Sequence, residues 1–141
     1  MIINLDVYDK IFQVLKKFLQ EESKYKPFVT KLAQKQSDKF PLVVITEEDN
    51  AYLVGTTRFE ETRSRVDYEI NIYTTDMAID GKKVSKLEVA KELKELVDNV
   101  MNCNLKMRRR SCRPTPNLDK DVYRITMRYT ATVNDNTGKL F

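Results

Sequence analysis

Apolar residues near the start of the chain recur every three or four positions, which is the spacing that gives a helix one apolar face. Asp6 stands just before this stripe, in the place of an N-cap residue, and mostly polar residues fill the opposite face. The stripe consists of Tyr8, Ile11, Phe12, Leu15, Phe18 and Leu19. A weaker pattern over Phe28–Gln34, which follows Pro27, predicts a second, short helix with Phe28 and Leu32 facing inward.

Two segments in the middle of the chain have the composition of strands. The dense β-branched residues of Phe40–Thr46 predict a buried strand, with Pro41 near its start. The acidic segment Glu47–Asn50, followed by Gly55–Arg58, predicts a long loop or a loose hairpin. Arg65–Thr74 then alternates between apolar and polar residues, which predicts a strand with one buried and one polar face.

A capped helix and two further strands complete the pattern. After a turn at Asp80–Gly81, Ser85 and Glu88 have the spacing of a capping box and predict the start of a helix. Its apolar stripe consists of Val89, Ala90, Leu93, Leu96, Val97, Val100 and Met101. Leu105–Cys112 predicts a strand with Leu105 and Met107 inward, and the alternating segment Tyr123–Val133 predicts the last one.

The predicted elements follow in the order α, β, β, α, β, β. Two amphipathic helices and about four one-sided strands each have an apolar surface that another element must cover. The fold class is therefore predicted as α+β, an antiparallel sheet of about four strands with the two main helices packed on one face. Because no repeat or linker divides residues 1–141, we expect a single domain, with a flexible tail over 136–141.

The composition narrows the classes of function. Of the 141 residues, 33% are charged and none is histidine, the usual general base and a common metal ligand. The sequence also has no glycine-rich phosphate loop, no nucleophile elbow and no zinc-ligand spacing. We therefore expect no enzymatic activity, no cofactor, no metal site and no small-molecule substrate.

The hydropathy pattern bears on the compartment. The longest apolar run, Leu42–Ile45, is too short to span a bilayer, and the first residues lack the features of a secretory signal. We therefore expect a protein made in the cytoplasm with no membrane partner. In that compartment Cys103 and Cys112 are expected to be free thiols. A disulfide between them is possible only if their Cα atoms come within about 7 Å of each other.

The most unusual segment is basic and precedes the last strand. In a regular strand its side chains would divide between two faces, with Lys106, Arg108 and Arg110 on one and Arg109 and Arg113 on the other. Arg124 and Arg128 would extend a basic face if the last two strands pair. Three interpretations stay open: a solvated polar face, a subunit interface that pairs with carboxylates, and contact with a nucleic-acid backbone.

The acidic candidates for a subunit interface lie earlier in the chain, and they are Glu47, Glu48, Asp49, Glu60 and Glu61. Arginine suits such pairing because its planar guanidinium binds a carboxylate through two parallel hydrogen bonds. The cluster Glu47–Asp49 could instead hold a divalent cation weakly. A solvated acidic loop is the preferred alternative, because the ligand spacing of a calcium loop is lacking.

Several segments, most of them in the second half of the chain, match the pattern of one known family. They are Thr57–Glu60, the strand Val66–Tyr73, the helix Ser85–Met101, the Arg-x-x-Cys-x-Pro-x-Pro-Asn-Leu pattern of Arg109–Leu118, and Val122–Tyr129. With the leading helix and the strand Phe40–Ile45 in matching order, the chain over residues 5–134 resembles the phage tail terminator or tail-completion (head–tail joining) proteins. These motifs are structural patterns and not catalytic signatures.

The resemblance implies helices packed on a β-sheet and a homo-oligomeric ring, typically a hexamer, at the head-proximal end of a phage tail tube. Such a ring ends tube growth, is incorporated in the virion, and has the tail tube protein and the head–tail connector proteins as partners. DNA would be only passing cargo. Two alternatives are another neck or head–tail adaptor component and, from a different class, a small basic nucleic-acid-binding protein that uses residues 106–113.

Overall fold

The helices and the long strands follow the predicted order, and three short strands are added. The computed structural model describes residues 5–31, 40–53, 63–116 and 121–134. The elements are α1 (Leu5–Glu22), β1 (Phe28–Thr30), β2 (Leu42–Leu53), β3 (Arg63–Thr74), β4 (Met77–Ile79), β5 (Lys82–Val84), α2 (Lys86–Asn99), β6 (Arg108–Pro114) and β7 (Tyr123–Asn134). A π-helical turn, Val100–Asn104, continues α2.

Five strands form the main sheet, in the spatial order β1, β2, β3, β7, β6. β1 runs parallel to β2, and all other neighbours are antiparallel. β4 and β5 form a separate hairpin, and its turn uses Asp80 and Gly81, both with positive φ. The predicted α+β class is confirmed, although the main sheet has five strands instead of about four.

The core lies between the helices and one face of the main sheet. Ile11 and Leu15 of α1, and Leu93 and Val97 of α2, are completely buried in the same cluster as the inward residues of the strands. The inward residues of β3 and β7 are Val66, Tyr68, Ile70, Ile72, Ile125, Met127, Tyr129, Ala131 and Val133. The predicted alternation of both strands is therefore confirmed, and one face of the sheet is apolar.

The start of α2 is also as predicted. The Ser85 hydroxyl accepts a hydrogen bond from the Glu88 backbone N–H at 3.3 Å, so the serine caps the helix. At the other end, the chain leaves the π-helical turn through Leu105 and Met107, which are both buried. Lys106 stands between them with a φ of 54°, and its side chain is exposed. The two apolar neighbours thereby anchor a basic residue at the surface.

Four predictions about the type of an element or the place where it begins are wrong. The first part of the predicted helix Phe28–Gln34 is β1, because the Phe28 N–H donates to the Pro41 carbonyl at 2.9 Å and parallel pairing with β2 follows. The long-loop alternative for Glu47–Asn50 is wrong, because the segment continues β2 and pairs antiparallel with β3, as the hairpin alternative implies. Asp6 lies inside α1 and not before it. The strand predicted from Leu105 begins only at Arg108.

Other predicted features lie outside the described residues. These are the loop Gly55–Arg58, the end of the predicted short helix and the tail over 136–141.

Candidate interface on the open face of the sheet

The side of the main sheet that points away from the helices is polar, and we call it the open face. Its two central rows are Arg65, Asp67, Glu69, Asn71 and Tyr73 on β3 and Arg124, Thr126, Arg128, Thr130 and Thr132 on β7. The rows are directly opposed, with Asn71 beside Thr126 and Glu69 beside Arg128. Within the described ranges, no helix or strand packs over this surface.

Arg128 joins two carboxylates on the open face. Its Nε donates to Glu48 Oε1 at 3.1 Å, and its Nη2 donates to Glu69 Oε2 at 3.3 Å. Hydrogen bonding to Glu69 raises the pKa of Glu48, while the bond from Glu48 lowers the pKa of Glu69. Arg128 contacts both carboxylates and offsets their negative charge.

A buried amide orders the neighbouring positions. Asn71, which is 5% exposed, accepts hydrogen bonds at Oδ1 from Thr126 Oγ1 at 2.7 Å and from Arg124 Nε at 3.0 Å. Its Nδ2 donates to Glu69 Oε1 at 2.7 Å. Thr115, just after β6, donates to Thr126 at 2.6 Å. The network thus reaches from β3 across β7 to the chain beyond β6.

A third carboxylate holds two arginines near the other end of the face. Asp67 is 5% exposed, and its Oδ2 lies 3.4 Å from Arg65 Nε and 3.9 Å from Arg110 Nη1. Arg65 also binds Asp49, with Nη2 3.2 Å from Oδ2. The open face is therefore a lattice of alternating guanidinium and carboxylate groups that is formed within a single chain.

A β-bulge decides which of the predicted basic residues reach the open face. Arg109 lies opposite Tyr129 and Ser111 lies opposite Arg128, so Arg110 is an extra residue in β6. Arg109 points to the helix side, where its Nη1 lies 3.3 Å from Asp98 Oδ2 of α2.

Arg113 lies opposite Thr126 and so shares the open face with Arg108, which lies opposite Thr130. The prediction that placed Arg113 with Arg109 is wrong, because the bulge shifts the alternation by one residue.

A basic cleft opens at the end of the lattice. It has a volume of about 480 Å³, and its lining residues are Arg65, Lys106, Arg108, Arg110, Thr130, Ala131 and Thr132. Arg65 and Arg110 contact Asp67. No carboxylate of the described residues lies within 4 Å of Lys106 or Arg108. Two of the four cations at the cleft are therefore without a counter-charge in the described part of the chain.

The acidic candidates separate into three groups. Glu48 and Asp49 pair with arginines of the same chain on the open face. Glu47 is turned to the helix side, where it accepts a hydrogen bond from the Tyr68 hydroxyl at 3.1 Å. Glu60 and Glu61 lie outside the described residues. Two predicted interface carboxylates thus have basic partners within the chain.

Sequence reasoning did not single out Arg65, Asp67 or Asp98. The alternation of β3 places Arg65 and Asp67 on the polar face, but only the pairing of β3 with β2, and the approach of Arg110 from β6, identifies their partners. Asp98 lies on α2 and accepts a hydrogen bond from the Tyr129 hydroxyl of β7 at 2.8 Å. Contacts between segments that are distant in the chain leave no periodic pattern in the local sequence.

The described ranges contain no cluster of three or more cysteine, aspartate or glutamate residues arranged to hold a metal ion. Cys103 and Cys112 are both free, and burial raises the pKa of the Cys112 thiol. None of the described helices has the length and apolar content needed to cross a membrane.

Comparisons with known proteins leave the residues themselves as the basis for a function. No family model matches the chain, and no curated protein matches it.

Proposed function

We propose that this protein is a non-enzymatic structural subunit that assembles with copies of itself into a ring and acts as a tail terminator of a phage or phage-like tail. The observation that carries the proposal is the open face, a broad sheet surface on which charged side chains are held in place by one another. The resemblance of residues 5–134 to tail terminators supplies the ring and its position at the head-proximal end of the tube.

The lattice is suited to binding a protein surface because its charges are ordered before any partner arrives. Arg124 and Arg128 are each fixed by hydrogen bonds to neighbours on β3 or β2. Side chains that are already ordered lose less conformational entropy on association, and arginine is enriched at protein interfaces. The open face therefore offers a preorganised contact surface.

A cleft with an acidic surplus lies on the helix side of the molecule. Glu22 at the end of α1 and Glu92 and Glu95 of α2 line it, and among the described lining residues the one cation is Lys24, which lies 3.7 Å from Glu92. The basic surplus of the open face and this acidic end point in different directions. Copies that bind head to tail through two different surfaces form a ring when their rotation closes.

Arg113 provides a direct test of this assembly. It lies on the open face, and no carboxylate of the described residues lies within 4 Å of it, so charge reversal breaks no internal ion pair in that part of the chain. We expect Arg113→Glu to lower the oligomeric mass measured by light scattering and to remove rings from negatively stained images. Lys83→Glu, on the exposed β5, is the matched control and should leave both unchanged.

Two results would contradict the proposal. A wild-type chain that stays monomeric at high concentration, both alone and with tail tubes, would exclude the ring. Phage particles assembled without the protein would distinguish a tail terminator from a head–tail adaptor, because tails that lack a terminator should be of irregular length. Tails of normal length that fail to join heads would instead indicate the head–tail adaptor alternative.

A further inference from the structure

The basic cleft combines charge, shape and hydrogen-bonding groups in a way that subunit assembly does not require. We propose that it is a binding site for a phosphate group, carried either by a small molecule or by a nucleic-acid backbone. The proposal is independent of the ring, and it stands on the four cations that line one concave surface.

The charge balance of the cleft favours an anion. Asp67 and Asp49 together offset Arg65 and Arg110 through contacts of 3.2 to 3.9 Å. Lys106 and Arg108 have no such partner in the described part of the chain, although both line the same cavity. Two uncompensated cations that line one cleft repel each other, and a phosphate with one or two negative charges lowers that repulsion.

The backbone presents these cations from fixed positions. Lys106 is held between the buried residues Leu105 and Met107, in a left-handed conformation with a φ of 54°. Arg108 begins β6 and is paired in register with Thr130. Arg110 lines the cleft together with Lys106 and Arg108, so a single short segment directs three basic side chains into it.

Hydroxyl groups complete the donor set. Thr130 and Thr132 lie on the same side of β7 and both line the cleft. The Thr130 hydroxyl is buried and has no hydrogen-bond partner among the described residues. A threonine hydroxyl donates readily to a phosphate oxygen, and a guanidinium presents two parallel N–H groups to the same anion. The volume of about 480 Å³ accommodates a phosphate together with part of the molecule that carries it.

The test compares two charge-matched double variants of the full chain. Lys106→Gln with Arg108→Gln removes the uncompensated cations, whereas Lys82→Gln with Lys83→Gln removes two exposed lysines from the β4–β5 hairpin. Titration with inorganic phosphate or pyrophosphate, followed by backbone amide NMR, should shift the amides of 106–110 and 130–132 in the wild type. The dissociation constant should rise at least about tenfold in the cleft variant and less than about twofold in the control.

A single-stranded and a double-stranded oligonucleotide distinguish the two sources of phosphate. Binding that depends on Lys106 and Arg108 and weakens steeply with salt indicates a nucleic-acid backbone. A response to pyrophosphate with none to either oligonucleotide indicates a small phosphorylated molecule. The proposal is overturned if the cleft amides do not respond to any of these anions, or if the two double variants bind equally. It is also overturned if the cleft variant changes only the oligomeric mass.

Discussion

Asn71 shows how one side chain can organise a polar surface. Its amide is 5% exposed and uses both of its polar atoms, accepting from two β7 residues and donating to Glu69. A buried polar group that loses its partner is costly because water cannot replace the missing hydrogen bond. The Asn71 side chain and the side chains of Arg124 and Thr126 therefore hold one another in position through these hydrogen bonds.

Replacing this amide should be costly. Asn71→Ala leaves the Arg124 Nε and the Thr126 hydroxyl without their acceptor, and we expect a loss of about 1–3 kcal/mol in the free energy of unfolding. Chemical denaturation measures the change. Asn99→Ala, on the exposed end of α2, is the control and should cost less than about 0.5 kcal/mol. Equal losses in the two variants would show that the network contributes nothing to stability.

At the scale of the elements, the two β-bulges are the decisive feature of the sheet. One bulge inserts Glu48 into β2, and the other inserts Arg110 into β6. Each inserted residue contributes a charge to the open face, where Glu48 reaches Arg128 and Arg110 reaches Asp67. Each bulge also shifts the alternation that follows it, so Asp49 and Arg113 lie on the open face, which therefore carries more charge than regular alternation would allow.

The helices hold this sheet from the other side, and α2 offers a matched pair of tests. Leu93 is completely buried against the core, whereas Leu87 is 57% exposed in the same helix. Leu93→Ala should lower the free energy of unfolding by about 2–5 kcal/mol, because a cavity remains where the side chain was. Leu87→Ala should be nearly neutral in the same denaturant titration. Similar losses would mean that α2 does not pack as described.

At the scale of the whole molecule, one buried tyrosine joins the sheet to a helix and a second joins two strands of the sheet. Tyr129 on β7 donates to Asp98 of α2, and Tyr68 on β3 donates to Glu47 of β2. Burial raises the pKa of both hydroxyls well above the ordinary value, and the neighbouring carboxylates raise it further. The neutral phenols are thus part of the folded state.

This linkage predicts a loss of stability in alkali. The pKa of both tyrosine hydroxyls is higher in the folded chain than in the unfolded chain, where it is about 10. The stability that the two neutral tyrosines contribute is therefore fully present below about pH 10 and is lost as the pH rises above that value. In a pH titration followed by absorbance at 295 nm, the buried tyrosines should ionise in a late step, well above about pH 10. That step should coincide with the loss of the circular dichroism signal. Tyr129→Phe should reduce the late step by one tyrosine. Ionisation of every tyrosine near pH 10 in a folded chain would contradict the prediction.

Much of this architecture is readable from local patterns. The helical stripe of α1, the Ser85 cap of α2 and the alternation of β3 and β7 each follow from the spacing of apolar residues over a few turns or a few pleats. That spacing also separates an apolar face from a polar face on both long strands. The α+β class follows, since each one-sided element needs an apolar partner.

Other features required the folded chain. Parallel pairing with β2 turned the segment after Pro27 into a strand, and pairing with β3 drew the acidic segment Glu47–Asn50 into the sheet. The bulge at Arg110 moved Arg113 to the open face, and it left Arg109 beside Asp98 of α2.

The sequence by itself determined which residues prefer a buried face and where the main helices and strands lie, because hydrophobic periodicity is a local property. Only the tertiary structure decided which charges meet, which remain without a partner at the cleft, and where the strands gain an extra residue. These outcomes depend on hydrogen bonds and ion pairs between segments up to 80 positions apart, as in the contact of Arg128 with Glu48.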